Sequence, residues 1–244
     1  MIEFMKFPSS DPQPPNLGVL RAFIFDLDGT LLDTLGDLAA SVNYSLRTHG
    51  MPERSINEVR GFVGNGVRKL MERAVPDGTA NPQFDAAFQT FRDYYMEHSL
   101  DTTRPYEGVL ETLTELDRKG CKMAVVSNKF MTATQELIRH FFPMIPVAIG
   151  EHEAEGIRKK PAPDTVFEAL RQLGLPITHH PSPITYHPSP TTYYIGDSDV
   201  DIQTARNAGL PCISVLWGFR DRAFLEAHGA TTFVSRPDEL LGFV

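Results

Sequence analysis

The sequence predicts an α/β protein with a doubly wound parallel sheet, a Rossmann-like core, into which a small helical cap domain is inserted. Short apolar runs alternate along most of the chain with segments whose apolar residues recur at helical spacing. Strands that alternate with helices favour a parallel sheet covered by helices on both faces. One interval, between about residues 35 and 106, breaks this alternation and contains only amphipathic segments.

Each predicted strand is a short apolar or aromatic run bounded by polar or glycine-containing loops. The predicted strands cover residues 22–25, 123–126, 147–149, 193–195, 213–216 and 232–234. The predicted helices between them cover residues 109–119, 132–141, 165–173, 200–208 and 222–228. Ligands of such sheets bind at the carboxyl ends of the strands, so polar residues that directly follow a strand are the candidate site residues.

The predicted domain organisation is discontinuous. Residues 1–18 are rich in Pro and Ser, and we expect them to form a flexible tail. Residues 19–35 and 106–244 are expected to form the core domain, and residues 36–105 the helical cap. The expected cap helices cover residues 37–48, 67–74 and 84–98, and no strand is expected between residues 35 and 106.

A tandem repeat lies in the C-terminal half, where HPSPITY at residues 180–186 is followed directly by HPSPTTY at residues 187–193. Proline at this density cannot continue a helix or a central strand, so we expect a surface loop lengthened by local duplication. His179, His180 and His187 raise the alternative of a metal site. An exposed polyproline-like loop is the favoured interpretation.

The composition narrows the classes of partner. With 23 Lys and Arg against 31 Asp and Glu, the formal net charge is −8, which argues against general affinity for nucleic acids or anionic membranes. No apolar run approaches the roughly 20 residues of a membrane helix, and the N-terminus does not resemble a signal peptide. We therefore expect a cytoplasmic monomer or homodimer that binds a small molecule.

The strongest local motif is DLDGTLLDT, in which Asp26 and Asp28 directly follow a predicted buried strand. Residues two apart in an extended or tightly turning segment point the same way, so both carboxyl groups can face one site. Such a pair can divide its work, with one ionised carboxylate attacking and the other protonating a leaving group. Gly29 permits a sharp turn and Thr30 adds a hydroxyl.

Three further motifs follow later strands. Ser127 in VVSNK offers a hydroxyl and loop amides to an anion, and Lys160 in KKPAPD precedes a helix that we expect a proline to begin. The motif GDSDVD supplies three acids: Asp197, Asp199 and Asp201. Each motif alone is better explained by helix capping or by a solvated lysine. Their occurrence at successive strand ends favours a common site.

The four motifs, in this order, resemble the haloacid dehalogenase superfamily, and specifically its phosphatases. The resemblance covers nearly the whole chain after the tail, and the inserted segment is similar to the small helical cap of that superfamily. Within the insertion, GFVGNGVRKLMERAV and YYMEHSLDTTRPYEGV look most like bacterial phosphoglycolate phosphatases. An acid at position 28 favours phosphoryl transfer over carbon–halogen cleavage, because the dehalogenase branch lacks it.

The resemblance implies a role for each motif residue. Asp26 would attack phosphorus to form an aspartyl-phosphate, and Asp28 would protonate the leaving alcohol and then activate water. The implied cofactor is Mg²⁺, held by the Asp26 carboxylate, the Asp28 backbone carbonyl and the Asp197 carboxylate, with Asp201 behind them. The residues implied to bind the phosphate are Thr30, Ser127, Asn128 and Lys160.

The cap is expected to select the substrate. The glycine loop at residues 64–66 opens a helix, so Gly66 and the bidentate side chain of Arg68 are candidates for binding a second anionic group such as a carboxylate. The alternative is an ordinary interhelix turn with a solvated arginine. The expected substrate is 2-phosphoglycolate; a sugar phosphate, a nucleoside monophosphate, pyrophosphate or a non-catalytic phosphate-binding role are the alternatives.

Overall fold

The computed structural model describes residues 20–151, 156–176 and 191–244. Its strands are β1 (Arg21–Phe25), β2 (Leu32–Asp33), β3 (Arg104–Pro105), β4 (Lys122–Phe130), β5 (Val147–Glu151), β6 (Thr191–Gly196), β7 (Cys212–Val215) and β8 (Phe233–Val234). Its α-helices are α1 (Leu35–Thr48), α2 (Ile56–Phe62), α3 (Val67–Ala74), α4 (Phe84–His98), α5 (Val109–Arg118), α6 (Met131–Phe141), α7 (Asp164–Gln172), α8 (Asp199–Ala208) and α9 (Arg222–Ala227). Short 3-10 helices cover Gly78–Ala80 and Pro237–Phe243.

Six strands form one parallel sheet in the order β5-β4-β1-β6-β7-β8. The alternation of side chains along β1 explains why both faces are covered. Phe23 and Phe25 pack into a cluster with α5 and α6 residues, whereas Ala22 and Ile24 pack into a second cluster with α7 and α8 residues. The predicted α/β fold, with a doubly wound parallel sheet, is confirmed.

The helices α1 to α4 bury a separate apolar cluster, which includes Leu38, Val42, Leu70 and Phe91. The chain passes between the sheet and these helices through β2 and β3, which pair in antiparallel fashion. Asp37, in α1, stabilises the segment that returns to the sheet, because its carboxylate accepts hydrogen bonds from the backbone N–H groups of residues 102 and 103 at 2.9 Å. The domain boundaries at residues 35 and 106 stay a prediction.

Two elements of this region differ from the expectation. No strand was expected between residues 35 and 106, and this is wrong at Arg104–Pro105, where a strand of two residues is too short to leave a periodic pattern. The helix α2 was also not predicted, because Val59 is its only buried residue and no apolar face marks it. The sequence signal that was missed is its capping box, formed by Ser55 and Glu58.

The repeat falls mostly outside the described residues, as do the tail at residues 1–18 and the three histidines His179, His180 and His187. The repeat was expected to form a loop up to the strand predicted from residue 193, and this is wrong at residues 191 and 192. Residues 191–193 already belong to β6, because their backbone pairs with β1 from Arg21 onward. None of the helices in the described ranges has the length and apolar character needed to cross a bilayer.

Candidate active site

Three neighbouring strands bring the motifs to one edge of the sheet. Asp26 follows β1 and Asp197 follows β6, while Ser127 lies in β4, where the pairing register with β5 shifts between Val126 and Phe130. This shift was not predicted, and it extends β4 four residues beyond its expected end at Val126. The three strands are adjacent in the sheet, so their polar ends line one pocket of about 40 Å³ together with Asp28, Asn128 and Lys160.

Lys160 is the centre of a buried charge cluster. Its Nζ donates to Asp26 Oδ1 at 2.7 Å, to Asp201 Oδ1 at 2.8 Å and to the Tyr194 hydroxyl at 3.2 Å. The side chains of Lys160, Asp26 and Asp201 are 3%, 9% and 0% exposed. Because these charges are desolvated, removal of one would leave its partner buried without a counter-charge. The following helix was expected to begin with a proline; α7 begins at Asp164, and Pro163 occupies the N-cap position before it.

Asp197 lies in a cradle of backbone and glycine residues. Its Oδ2 accepts a hydrogen bond from the Phe219 N–H at 2.7 Å, and Thr30 Oγ1 lies 3.4 Å from its Oδ1. A Cβ added at Gly29 or Gly218 would overlap with the Asp197 side chain. Gly29 also has a φ of 91°, in the region that favours glycine. Glycine is therefore required at both positions to bring the backbone close to this carboxylate.

The acidic cluster can hold a cation. Carboxylate oxygens of Asp26, Asp197 and Asp201 all lie within 4.8 Å of one another. Burial, and then repulsion from Asp201, raises the pKa of Asp197 to about 7. Burial is also the first cause that raises the pKa of Asp26, followed by Asp201, and the nearby Lys160 only partly offsets these effects. A divalent cation would relieve this repulsion, so the donor set fits a hard metal ion.

The three acids differ in how many of their carboxylate oxygens are free to bind a cation. Asp201 Oδ1 already accepts from Lys160 and Tyr194, and its Oδ2 accepts from the N–H and hydroxyl of Ser198. Asp26 Oδ2, in contrast, accepts no hydrogen bond from any described residue. Asp201 therefore fits its expected place behind the ligands, where it holds Lys160 and caps α8.

Asp28 has a different partner from Asp26. Its Oδ1 accepts a hydrogen bond at 2.7 Å from Lys129, whose side chain is 1% exposed. Ser127 and Asn128 were predicted site residues, but Lys129, the next residue, was not. The available signal was a lysine at the polar end of an otherwise apolar strand.

Ser127 and Asn128 make different uses of their polar groups. Ser127 Oγ accepts a hydrogen bond from the Lys129 N–H at 3.2 Å, so its own hydroxyl proton remains available to an anion in the pocket. The Asn128 amide donates to the Lys160 carbonyl at 2.9 Å and accepts from the Lys160 N–H at 2.8 Å. The Asn128 side chain thus fixes the Lys160 loop.

The structure does not bring Thr30 and Arg68 to the pocket wall. Among the hydrogen bonds of the described residues, the Thr30 side chain reaches the site through Asp197 alone, and the Thr30 carbonyl accepts from Trp217 Nε1 at 2.9 Å. Arg68 is paired with Asp85 at 3.2 Å and lies over two phenylalanine rings of α4. The buried face of α3 contains Val67, Leu70 and Met71, so the helical rotation turns Arg68 outward.

The cap contributes backbone and apolar surface to the pocket. Gly64, Gly66, Val67 and Leu70 line it from the cap side, and a Cβ at Gly66 would lie 3.2 Å from the Asn128 carbonyl oxygen. Glycine therefore allows the amino end of α3 to approach β4.

Arg220 is a pocket residue that was not predicted from the sequence. It lies in the loop after β7, and its guanidinium donates to three cap carbonyls, those of Arg60 at 3.0 Å, Gly61 at 3.3 Å and Val63 at 2.8 Å. Its Nε is buried and has no hydrogen-bond partner among the described residues. The available signal was the position of this loop, which begins where β7 ends, because ligands bind at the carboxyl ends of parallel strands.

Comparison with known proteins places the chain in a family. The family model described as haloacid dehalogenase-like hydrolase matches residues 23–215. A phosphoglycolate phosphatase of Aquifex aeolicus is 30% identical, over 91% of this chain and 95% of that protein. An N-acetylmuramic acid 6-phosphate phosphatase of Pseudomonas aeruginosa is also 30% identical, over 91% of this chain and 93% of that protein.

A solved structure is similar over almost the same length. The structure of a candidate phosphoglycolate phosphatase from Lactobacillus delbrueckii subsp. bulgaricus is 35% identical, with a TM-score of 0.81, and the match covers 91% of this chain and 97% of that one. The residues that the family model matches include Asp26, Ser127 and Asp197. The chain therefore belongs to the haloacid dehalogenase-like hydrolase family and is one of its phosphatases.

Proposed function

We propose that the protein is a Mg²⁺-dependent phosphatase that hydrolyses 2-phosphoglycolate through an aspartyl-phosphate on Asp26. The observation that carries the proposal is that two acids of one pocket, Asp26 and Asp28, are held by different lysines. Asp26 has one free carboxylate oxygen beside Lys160, which suits an attacking group. Asp28 is separated from that cluster and suits proton transfer.

Magnesium would be held by the carboxylates of Asp26 and Asp197 together with the Asp28 backbone carbonyl. This ligand set is supported by the proximity of the two acids and by their raised pKa values. When bound, the ion would neutralise charge on the phosphate, which an acidic cluster would otherwise repel.

The chain's own residues would do the remaining work. Ser127 would donate its hydroxyl proton to a phosphate oxygen, and Lys160 would orient Asp26 and offset the charge that develops on the transferred group. Asp28 would give a proton to the leaving alkoxide as the phosphorus–oxygen bond breaks. It would then take a proton from the water that hydrolyses the aspartyl-phosphate, which returns both acids to their starting states.

The second anionic group of the substrate would be bound near Arg220 rather than Arg68. Arg220 lines the pocket and has a buried N–H without a partner among the described residues, and a buried donor of this kind costs free energy until an acceptor reaches it. The nearby wall is otherwise apolar, with Val63, Val67 and Leu70. A carboxylate at this position would satisfy the donor.

N-acetylmuramic acid 6-phosphate is a second candidate substrate, because a phosphatase of that compound is 30% identical to this chain. Its lactyl group also carries a carboxylate. The pocket, of about 40 Å³, holds only a few water molecules, so the compact ester needs less rearrangement of the pocket walls than the larger muramic acid ester. This difference in size favours 2-phosphoglycolate.

A comparison of kcat/KM values tests both parts of the proposal. The substrates are 2-phosphoglycolate, N-acetylmuramic acid 6-phosphate and ethyl phosphate, which lacks the carboxylate, each with Mg²⁺ and with EDTA. We expect Mg²⁺-dependent turnover with the highest value for 2-phosphoglycolate. A higher value for the muramic acid ester would replace the named substrate, and equal values for 2-phosphoglycolate and ethyl phosphate would reject a carboxylate subsite.

The variants Arg220→Met and Arg68→Met locate the subsite. Arg220→Met should lower kcat/KM for 2-phosphoglycolate at least tenfold more than for ethyl phosphate, whereas Arg68→Met should affect the two esters equally. The reverse pattern would show that the substrate carboxylate is bound by Arg68 instead.

A further inference from the structure

Lys129 is a buried lysine that lies between Asp28 of the core domain and Tyr95 of the cap. The residue is 2% exposed and lines the same pocket as Asp28. Its Nζ donates to Asp28 Oδ1 at 2.7 Å and lies 4.8 Å from the centre of the Tyr95 ring, which belongs to helix α4. Lys129 therefore contacts both a core carboxylate and a cap aromatic ring.

The contacts that Lys129 makes with Asp28 and Tyr95 are strengthened because solvent is excluded from them. A lysine is rarely buried to this extent unless it is paired, since moving an ammonium group out of water costs several kcal/mol. The face of an aromatic ring attracts a cation, and the attraction grows when water is excluded. Asp28 and Tyr95 therefore fix the ammonium group from two sides.

This pair is separate from the Lys160 cluster. Lys160 contacts Asp26, Asp201 and Tyr194, and none of the described hydrogen bonds joins it to Asp28. Lys129 occupies one oxygen of Asp28 and leaves Oδ2 without a hydrogen-bond partner among the described residues. The geometry thus orients one carboxylate oxygen and keeps the other available.

We propose that Lys129 is a positioning residue for proton transfer by Asp28, and that its contact with Tyr95 makes this position depend on the packing of the cap against the core. The inference rests on the proposed function. Asp28 gives its proton to the leaving oxygen as that oxygen separates from phosphorus, and it later takes a proton from water. Lys129 exchanges no proton in either step; it holds the carboxyl group in place.

The test uses leaving groups that differ in their need for a proton. The alkoxide of 2-phosphoglycolate requires protonation as it leaves, whereas 4-nitrophenolate departs readily without it. General acid catalysis contributes 10²–10⁴-fold, so a misplaced Asp28 should cost a substantial part of that factor for the alkyl ester only. The quantity to compare is kcat/KM, because it reports the steps up to release of the alcohol.

We expect Lys129→Met to lower kcat/KM for 2-phosphoglycolate at least tenfold more than for 4-nitrophenyl phosphate. Lys122→Met is the matched control, since Lys122 is an exposed lysine at the start of the same strand, and it should change neither value. Equal losses on the two substrates would overturn the inference. Turnover by the wild-type protein, measured alongside, tests the proposed function separately.

The double variant Asp28→Asn with Lys129→Met tests whether Lys129 acts through Asp28, even if Lys129→Met alone does not fold. It removes both charges, so no unpaired buried ion remains. Because Lys129 acts through Asp28, the double variant should hydrolyse 4-nitrophenyl phosphate within about twofold of Asp28→Asn alone. A further tenfold loss in the double variant would show that Lys129 acts on something other than Asp28, and would overturn the inference.

Tyr95→Leu tests the contribution of the cap. This change removes the ring from Lys129 and leaves the Lys129–Asp28 pair intact. We expect the same preference in the losses, greater for 2-phosphoglycolate than for 4-nitrophenyl phosphate. Losses that are equal for the two substrates would remove the cap from the inference.

Discussion

Substitution of Asp197 by Asn should change how the stability of the metal-free protein depends on pH. Asp197 is 1% exposed, and burial followed by repulsion from Asp201 raises its pKa from the ordinary 3.8 to about 7. Between these two values the unfolded chain ionises at this position while the folded protein keeps the proton. The Asp197 contribution to the free energy of unfolding therefore falls as the pH rises from about 4 to about 7.

The magnitude follows from the difference between the two pKa values. Each pH unit corresponds to 1.36 kcal/mol, so the difference between 3.8 and about 7 corresponds to about 4 kcal/mol. Asn stays neutral at every pH and its amide oxygen can still accept from the Phe219 N–H. The free energy of unfolding of Asp197→Asn, relative to wild type, should therefore increase by up to about 4 kcal/mol between pH 4 and pH 8.

Urea unfolding in EDTA at a series of pH values measures this difference, in which ionising groups outside the acidic cluster cancel between the two proteins. Asp199→Asn is the control substitution, because Asp199 lies only two residues away but is not buried. Excess Mg²⁺ should stabilise wild type at pH 8 more than Asp197→Asn. A difference that is independent of pH would show that burial and repulsion do not raise the pKa of Asp197.

Three other substitutions have distinct expected outcomes. Lys160→Met leaves Asp26 and Asp201 without their shared cation, so the metal-free protein should lose about 3–5 kcal/mol at pH 8, measured by urea unfolding, and less at pH 4 where carboxylates protonate. A loss that is the same at both pH values would contradict this account. Gly29→Ala places a Cβ against Asp197, so Mg²⁺ titration of activity should show weaker apparent binding, whereas Gly50→Ala, at an open position of similar φ, should not. Ser127→Ala should lower kcat by 10²-fold or more because a donor to the transferred phosphate is lost; a kcat within twofold of wild type would remove that role.

The sheet and the core motifs were predictable because each has a local pattern. Apolar runs mark strands buried on both faces, and β1 alternates Phe23 and Phe25 with Ala22 and Ile24 across two clusters. The rule that sites form at strand ends then selects Asp26, Ser127 and Asp197.

The parts that were missed depend on three-dimensional contacts. Arg68 was selected because it lies in the first turn of a helix, but which way that turn faces is set by the packing of Val67 and Leu70. Lys129 and Arg220 gain their importance from partners that are distant in sequence, Asp28 and the carbonyls at the end of α2. No spacing within the chain specifies such pairs.

Direct trapping of the phosphorylated enzyme tests the central claim most closely. Rapid acid quenching of the Mg²⁺-loaded protein mixed with phosphate-labelled 2-phosphoglycolate, followed by peptide mapping, should place a hydroxylamine-labile phosphoryl group on Asp26. Asp26→Asn should carry no label, and the label should be absent in EDTA. Steady Mg²⁺-dependent turnover without label on Asp26, or labelling that survives Asp26→Asn, would contradict the proposed role of this carboxylate.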